Sequence, residues 1–137
     1  MSEKTILLVE DNDDDAELTL RALNKHKLAT RIVRARDGIE ALELLHGETS
    51  LRPDLMLIDL NMPRLDGIGL LRKVRAQPTT RSLPIVILTS SNEDRDVIDG
   101  YRLGANSYVR KPFDFLTFSD AVKALGLYWL ELNLAPR

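Results

Sequence analysis

The pattern that most constrains this chain is the alternation of short apolar runs with longer amphipathic stretches. The runs are Thr5–Val9, Arg31–Ala35, Leu55–Ile58 and residues 85–88 and 108–109. Short unbroken runs of Ile, Val and Leu are typical of strands buried on both faces of a parallel sheet. Arg31 and Arg34 indicate that the second run is an edge strand. The pattern predicts an α/β domain, doubly wound because right-handed crossovers place helices on both faces.

Helical patterns fill the segments between the runs. We predict four apolar stripes at helical spacing: Ala16, Leu20 and Leu23; Ile39, Leu42 and Leu45; Leu70, Leu71 and Val74; and Val97, Ile98 and Tyr101. A fifth helix is predicted from about residue 114 towards residue 133. Asp37 and Asp66, each followed by glycine, indicate helix starts, and Asp13, Asp14 and Asp15 are predicted as the N-cap and first turn of the first helix.

Length, charge and cysteine content exclude several classes of protein. The 137 residues suffice for one domain, which we predict to span residues 1–137. The chain contains no cysteine, which excludes disulfides and thiolate metal sites. A net charge of −2 argues against non-specific nucleic-acid binding. No apolar run is long enough for a signal peptide or a membrane span, so we expect a cytoplasmic protein with neither nucleic-acid nor membrane partners.

Polar side chains follow four of the five predicted strands. The first run ends in Glu10 and Asp11, the third in Asp59, the fourth in Thr89 and the fifth in Lys111. Ligands of doubly wound sheets bind at the carboxyl ends of the strands. Crowded carboxylates repel one another and need a cation, and oxygen ligands without His or Cys select a hard ion such as magnesium. A carboxylate there can also be a nucleophile that forms an aspartyl phosphate.

Single residues of this set have simpler interpretations. Taken alone, Glu10 and Asp11 are equally consistent with the start of a helix, where acids favour the dipole. Thr89 alone is an ordinary strand or cap residue, and Lys111 alone an ordinary surface lysine. The chain has no Walker A sequence and no glycine-rich dinucleotide loop, so we expect no cofactor besides the metal ion. His26 and His46 have no partner histidine nearby in the sequence, so we expect no metal role for them.

In combination these residues resemble the receiver domains of bacterial two-component response regulators. The matching motifs are Val9-Glu10-Asp11, Asp59-Leu60-Asn61-Met62-Pro63 with Asp66-Gly67, Leu88-Thr89-Ser90, Gly104-Ala105-Asn106 and Lys111-Pro112. The resemblance spans almost the whole chain. It implies a five-stranded parallel sheet of strand order 2-1-3-4-5.

The resemblance also implies roles for the acidic residues. Asp59 corresponds to the phosphoryl acceptor. Asp11, Asp59 and the backbone carbonyl of Asn61 are expected to ligate magnesium directly, and Glu10 mainly through water. Many members of the family have aspartate in place of Glu10, so the longer side chain is expected to alter the metal affinity.

Three further positions complete the implied switch. Thr89 corresponds to the hydroxyl that bonds the phosphoryl group, Lys111 to the lysine that binds a phosphoryl oxygen, and Tyr108 to the aromatic residue that turns inward. The resemblance implies a signalling switch rather than a metabolic enzyme, which catalyses only its own phosphorylation and dephosphorylation. Its expected partner is a histidine kinase or a phosphotransfer protein.

The end of the chain carries a narrower resemblance. Together with the motifs above, Tyr128-Trp129-Leu130-Glu131-Leu132-Asn133 resembles the stand-alone regulators of bacterial phytochrome histidine kinases. Phe115, Phe118, Val122, Leu125 and Trp129 form one stripe that suffices to dock the last helix, and Leu127, Tyr128, Leu130, Leu132 and Leu134 remain. Surplus apolar surface usually marks an interface, so we predict a homodimer through this helix. A longer core helix is the alternative. Because the chain ends at Arg137, no output domain is expected to follow.

Three other functions compete with the switch. A phosphohydrolase with a carboxylate nucleophile would have a second aspartate two residues after Asp59, where this chain has Asn61. A flavodoxin-like electron carrier needs a phosphate loop after the first strand, where this chain has acids. An inactive receiver scaffold would lack some of the acceptor, metal, hydroxyl and lysine positions, which are all present here.

Overall fold

The computed structural model describes residues 4–27, 31–48, 50–59, 66–89, 101–102, 104–110 and 115–132. Its elements are β1 (Thr5–Val9), α1 (Asp13–Lys25), β2 (Arg31–Ala35), α2 (Gly38–His46), β3 (Leu55–Ile58), α3 (Gly67–Ala76), β4 (Ile85–Thr89), β5 (Ser107–Arg110), a C-terminal helix (Phe115–Gly126) and a π-helical segment (Leu127–Leu132). All five predicted strands are present. β4 continues one residue beyond its apolar run, and β5 is extended by one residue at each end.

The five strands form one parallel sheet in the order β2-β1-β3-β4-β5. This is the order that the family resemblance implies. β2 is at one edge and pairs with β1 in register, Leu7 opposite Val33. Arg31 is exposed at this edge. The prediction of an edge strand is confirmed.

Both faces of the sheet are buried, which explains why the strands read as unbroken apolar runs. Leu7 and Val9 of β1 belong to one core, which packs under α2 and α3. Ile6 and Leu8 belong to the other, which packs under α1 and the C-terminal helix. All four side chains are at most 2% exposed. Burial of each such side chain contributes about 1.5–3 kcal/mol, so the two cores fix the register of β1.

The helices α1, α2 and α3 each begin with a side-chain N-cap. The caps are Asn12, Asp37 and Asp66, and each accepts a hydrogen bond from the backbone N–H three residues on, at 2.8 to 2.9 Å. The predicted starts at Asp37 and Asp66 are confirmed. The N-cap of α1 is Asn12 rather than one of the three aspartates, which occupy the first turn. Asn12 takes the cap because its backbone is extended and its amide oxygen reaches the N–H of Asp15.

The helical prediction near the C-terminus is confirmed with one change. Most of the fourth predicted stripe lies outside the described residues, which include only Tyr101 and Arg102 of that helix. The last helix runs as predicted, but its end is π-helical. Among the described residues, no helix is long and apolar enough to cross a membrane.

In the π-helical segment, the apolar residues that are exposed differ in part from those that we predicted to be exposed. Leu127 and Tyr128 are 41% and 49% exposed, but Leu130 is only 5% exposed and packs in the core beside α1. The expectation that Leu130 belongs to an exposed patch is therefore wrong. π-Helical hydrogen bonds link residues five apart, which aligns Leu130 with Leu125 of the same core. The side chain of Leu132 and all of Leu134 lie outside the described residues.

Side-chain contacts of Trp129 and His26 join the C-terminal elements to the rest of the fold. Trp129 packs against the core, and its Nε1 donates to Ser107 Oγ at 3.2 Å, at the start of β5. Its ring meets that of Tyr128 edge-on, with ring centroids 4.9 Å apart. His26 Nε2 lies 2.9 Å from Oγ of the buried Ser119, which ties α1 to the C-terminal helix.

At the amino-terminal end of the sheet, one arginine on α3 joins the loop before β4 to the loop before β5. Arg75, on the last turn of α3, donates from all three of its nitrogens. Its acceptors are the carbonyl oxygens of Gly104 (2.7 and 2.9 Å), Thr80 (3.2 Å), Arg81 (2.9 Å) and Leu83 (2.6 Å), and Oδ1 of Asn106 (2.8 Å). Burial lowers the pKa of the Arg75 guanidinium below its usual range. We call this contact set the arginine bracket.

The arginine bracket explains why position 104 is a glycine. Gly104 has a φ of +107°, which L side chains rarely adopt. A Cβ there would lie 2.9 Å from Nε of Arg75, closer than real contacts allow. Asn106 completes the arrangement, because its Oδ1 and N–H pair with the N–H and carbonyl of Ile85 at 2.8 Å each. The first residue of β4 and the residue before β5 are thereby joined at the edge where Arg75 lies.

Candidate functional site

The ends of β1 and β3 bring the predicted acidic residues together. Val9 pairs with Ile58, so the residues that follow them are neighbours at the carboxyl edge. The Asp59 N–H donates to the Val9 carbonyl at 3.0 Å, and the Glu10 N–H donates to the Ala35 carbonyl at 3.0 Å. These bonds continue the strand pairing by one residue. The backbone at the site is therefore held by the sheet rather than by a loose loop.

Glu10, Asp11 and Asp59 form one carboxylate cluster. Each offers an oxygen, and these three atoms all lie within 4.8 Å of one another. Glu10 is 1% exposed and Asp59 9% exposed, and Asp11 is partly exposed. Like charges this close repel, and the repulsion is stronger where water is excluded. A cation that binds between them therefore gains from all three charges.

The donor set fits a hard divalent ion. The cluster holds only carboxylate oxygens, which suit Mg2+ rather than zinc or copper. The sequence-based expectation of a magnesium site agrees with this donor set.

The remaining predicted site residues are placed only in part. Thr89 is the last residue of β4, so its backbone lies at the same carboxyl edge as the acids. Tyr108 is the second residue of β5, paired with Ile87. Asn61 and Lys111 lie outside the described residues, as do the side chains of Thr89 and Tyr108. The roles of these four residues stay predictions.

Arg34 of β2 also contacts this region, which the sequence motifs do not predict. In the sequence, Arg34 indicates only an edge strand. Its Nε and Nη2 donate to the backbone carbonyl oxygen of Glu10 at 3.0 and 2.9 Å, and its Nη1 donates to Asp13 Oδ1 at 2.9 Å. The signal was available in the register, because Arg34 pairs with Leu8 and a long side chain there reaches two residues along β1.

Asp13 is paired with two arginines. Besides Arg34, Nη1 of Arg36 lies 3.7 Å from the same carboxylate oxygen. The hydrogen bond from Arg34 and the charges of both arginines hold the pKa of the Asp13 carboxyl below its usual range. Asp13 itself is exposed, so water screens these interactions.

Comparison with known proteins identifies the family. Residues 6–123 match the response regulator receiver domain. Response regulator Rcp1 of Synechocystis sp. is 34% identical over 97% of this chain and 93% of its own length, and its Mn2+-bound structure has a TM-score of 0.88, covering 98% of this chain and 99% of that one. The chain therefore belongs to the response regulator receiver domain family, whose members are signalling switches.

The similarity extends to regulators that work with phytochromes. The phosphorylated cyanobacterial phytochrome response regulator RcpA has a TM-score of 0.92 and 34% identity, covering 99% of this chain and all (100%) of that one. The bacteriophytochrome response regulator AtBRR is 43% identical with a TM-score of 0.75, covering 98% of this chain and 100% of that one. These matches agree with the narrower resemblance of the C-terminal residues.

Proposed function

We propose that this receiver accepts a phosphoryl group on Asp59 from the phosphohistidine of a histidine kinase. The observation that carries the proposal is the carboxylate cluster at the ends of β1 and β3. A buried carboxylate at a strand end is unfavourable unless it has a partner or a chemical role. Phosphorylated RcpA and Mn2+-bound Rcp1, both similar along nearly their whole length, support this assignment.

The transfer is a substitution at phosphorus. A carboxylate oxygen of Asp59 attacks in line with the P–N bond of phosphohistidine. The O–P bond forms while the P–N bond breaks, and the histidine nitrogen leaves with the electron pair and takes up a proton. Later attack by water on phosphorus returns the free carboxylate of Asp59 and inorganic phosphate. The chain catalyses only these two steps on itself.

The metal site of this proposal consists of Asp11 and Asp59 as direct ligands with the carbonyl of Asn61, and Glu10 acting through water. Mg2+ there supplies positive charge that offsets both the carboxylates and the phosphoryl oxygens. Lys111 and the Thr89 hydroxyl are assigned to phosphoryl oxygens. We propose that the Thr89 contact biases a two-state element that includes Tyr108.

Site-directed labelling tests the acceptor. Incubation with a small phosphodonor and Mg2+ is expected to add one phosphate to the wild-type chain, measured by intact mass. Asp59→Asn is expected to gain none. Asp54→Asn is the matched control, because Asp54 lies at the opposite end of β3 and its Oδ2 accepts from the Thr5 N–H at 2.9 Å. Equal labelling of Asp59→Asn and wild type would refute the assignment.

A phosphohistidine donor is the proposed partner, either a bacterial phytochrome kinase or a phosphotransfer protein. The similarity to RcpA and AtBRR supports the phytochrome kinase. Phosphotransfer from the purified, autophosphorylated kinases of the source organism is expected to show fast labelling by one of them. Labelling at the same slow rate by every kinase would contradict a dedicated partner. The cytoplasmic location and the absence of nucleic-acid and membrane partners stay predictions from charge and composition.

We further propose one receiver domain over residues 1–137 that forms a homodimer through its C-terminal helix. The described surface that supports this is Leu127 and Tyr128, about half exposed on adjacent positions. Leu127→Ser with Tyr128→Ser is expected to give a folded monomer by light scattering. Ile39→Ser, which changes a similarly exposed residue on α2 under the other face of the sheet, is expected to leave the dimer intact. A monomeric wild type at micromolar concentration refutes the dimer.

A further inference from the structure

The turn between β1 and α1 carries two of the three clustered carboxylates, and Arg34 holds it from the side. Two guanidinium nitrogens, Nε and Nη2, converge on the single carbonyl oxygen of Glu10. The third, Nη1, reaches Asp13 in the first turn of α1. Arg34 thus contacts the turn at its start and just after its end.

The surroundings strengthen the two contacts with Glu10. The Arg34 side chain is 20% exposed and its hydrogen bonds to the Glu10 carbonyl are partly buried, so water competes little for them, whereas the bond to Asp13 is exposed. A charged donor roughly doubles the strength of a hydrogen bond to a carbonyl oxygen. On the other side of the residue, the Glu10 N–H donates to the Ala35 carbonyl. The Glu10 peptide units are therefore fixed by β2 through both a backbone and a side-chain contact.

We propose that Arg34 is a positioning residue for the divalent-ion site. By fixing the Glu10 carbonyl, it sets the direction in which Glu10 and Asp11 leave β1 and so keeps their carboxylates within reach of Asp59. This inference rests on the proposed metal site and adds a residue that acts on the ligands without being one. Groups that orient metal ligands typically change metal affinity tenfold or more when they are removed.

If Arg34 acted only through its charge, removing it would change the Mg2+ affinity in the opposite direction. Arg34 is a cation near a site for a cation, so loss of its charge alone would tighten Mg2+ binding. Loss of its hydrogen bonds to Glu10 would weaken Mg2+ binding. Arg36 isolates the charge effect, because it approaches the same oxygen of Asp13 and is 66% exposed. Weaker Mg2+ binding after loss of Arg34 therefore indicates that its hydrogen bonds position Glu10, and tighter binding indicates that only its nearby charge matters.

A pair of neutral substitutions removes the charge and varies only the donor. In Arg34→Gln, the side-chain nitrogen occupies the place of Nε, from which it donates to the Glu10 carbonyl. In Arg34→Met, a methyl group of similar shape occupies that place and donates nothing. Any difference between the two variants in Mg2+ affinity comes from the hydrogen bond, since both have lost the charge.

The test measures Mg2+ affinity by calorimetry and by the rise in melting temperature with Mg2+, which follows from binding to the folded state alone. Arg34→Met is expected to bind about tenfold more weakly than wild type, and Arg34→Gln about threefold more weakly. Arg36→Ala is expected to stay within about twofold, because exposed charges are screened. Phosphorylation of Arg34→Met is expected to slow at low Mg2+ and to recover at saturating Mg2+.

Four results would overturn the positioning role, the metal site or the proposed acceptor. Equal affinities of Arg34→Met and Arg34→Gln, or a tighter affinity in Arg34→Met than in wild type, overturn the positioning role and leave the metal site standing. A wild type that binds no Mg2+ overturns the metal site and this inference together. Normal Mg2+ behaviour with no label on Asp59 overturns the proposed acceptor but not the role of Arg34.

Discussion

The two ends of the sheet differ in how their charged side chains are surrounded. At the carboxyl end, three carboxylates lie within 4.8 Å of one another at the ends of β1 and β3. At the amino end, the arginine bracket surrounds one cation with backbone carbonyls and an amide oxygen. Like charges are gathered at one end, and a single charge is enclosed by neutral dipoles at the other. A bound cation would lower the electrostatic repulsion in the carboxylate cluster, whereas the Arg75 guanidinium already has hydrogen-bond acceptors for all its nitrogens.

From this difference we expect the amino end of the sheet to contribute to folding stability and the carboxyl end to metal binding. A charge that is hydrogen-bonded on all its nitrogens stabilises the fold at every ion concentration. Repulsion within a carboxylate cluster opposes folding, and a bound cation relieves that repulsion, so the cluster is explained by its chemistry rather than by folding. Substitutions at the two ends should therefore change stability in opposite directions.

The largest effect on stability is expected at the arginine bracket. Arg75→Met keeps the aliphatic stem but leaves several carbonyl oxygens without their donor, and should lower the free energy of unfolding by about 3 kcal/mol. Arg72→Met, an exposed arginine on the same helix, is the control and should change it by less than about 0.5 kcal/mol. Urea unfolding measures both. Equal effects would show that the bracket adds nothing to stability.

Gly104→Ala should have the next largest effect. The positive φ and the contact of its Cβ with Arg75 together should destabilise the fold by about 2 kcal/mol. Part of this comes from Arg75 itself, so the double variant with Arg75→Met should be less destabilised than the sum of the two single variants. Strict additivity in urea unfolding would mean that Gly104 is required for its backbone conformation alone.

At the carboxyl end, the expected sign is reversed. Asp11→Asn removes one of three like charges and should raise the stability of the metal-free protein by about 1 kcal/mol. The same change should abolish the increase in melting temperature that Mg2+ gives to the wild type. Thermal unfolding with Mg2+ and with a chelator checks both. A metal-free Asp11→Asn less stable than wild type would contradict the contrast between the two ends.

The smallest effect concerns Asp13, beside the cluster. Its arginine partners lower its pKa in the folded protein below the ordinary value of 3.8. A depressed folded pKa contributes stability that is present above the unfolded pKa and is lost as the pH falls through the folded pKa. Asp13→Asn should therefore be slightly less stable than wild type near neutral pH and equal to it below the folded pKa. A gap that widens on acidification would contradict the pairing with Arg34.

The sequence predicts those features that repeat along the chain or follow from family motifs. Strand positions, parallel pairing and the meeting of Glu10 with Asp59 were all accessible, because apolar runs and strand ends are local patterns. Contacts made by long side chains across the fold were not. Arg34 and Arg75 look like ordinary charged residues in the sequence, because most of their acceptors are backbone carbonyl oxygens. The strand register that brings Arg34 beside β1 is known only from the structure.

The error at Leu130 has a different origin. A period of 3.6 residues places Trp129, not Leu130, on the docking stripe with Leu125 and Val122. The π-helical segment follows a wider turn, and both Trp129 and Leu130 pack inward. Departures from the α-helical period are set by tertiary packing, and the sequence carries no local signal for them. The surplus apolar surface that remains is consequently smaller, which is why Leu127 and Tyr128 replace Leu130 as probes of the dimer.

Trp129 gives the protein a built-in optical reporter. It is the single tryptophan of the chain, so excitation at the red edge of aromatic absorption yields emission from one position only. Its indole nitrogen bonds Ser107, the first residue of the strand that carries Tyr108. A shift of β5 against the π-helical segment alters that hydrogen bond and the polarity around the ring. A change in emission wavelength or lifetime would therefore report any such shift in real time, without a dye and without a substitution.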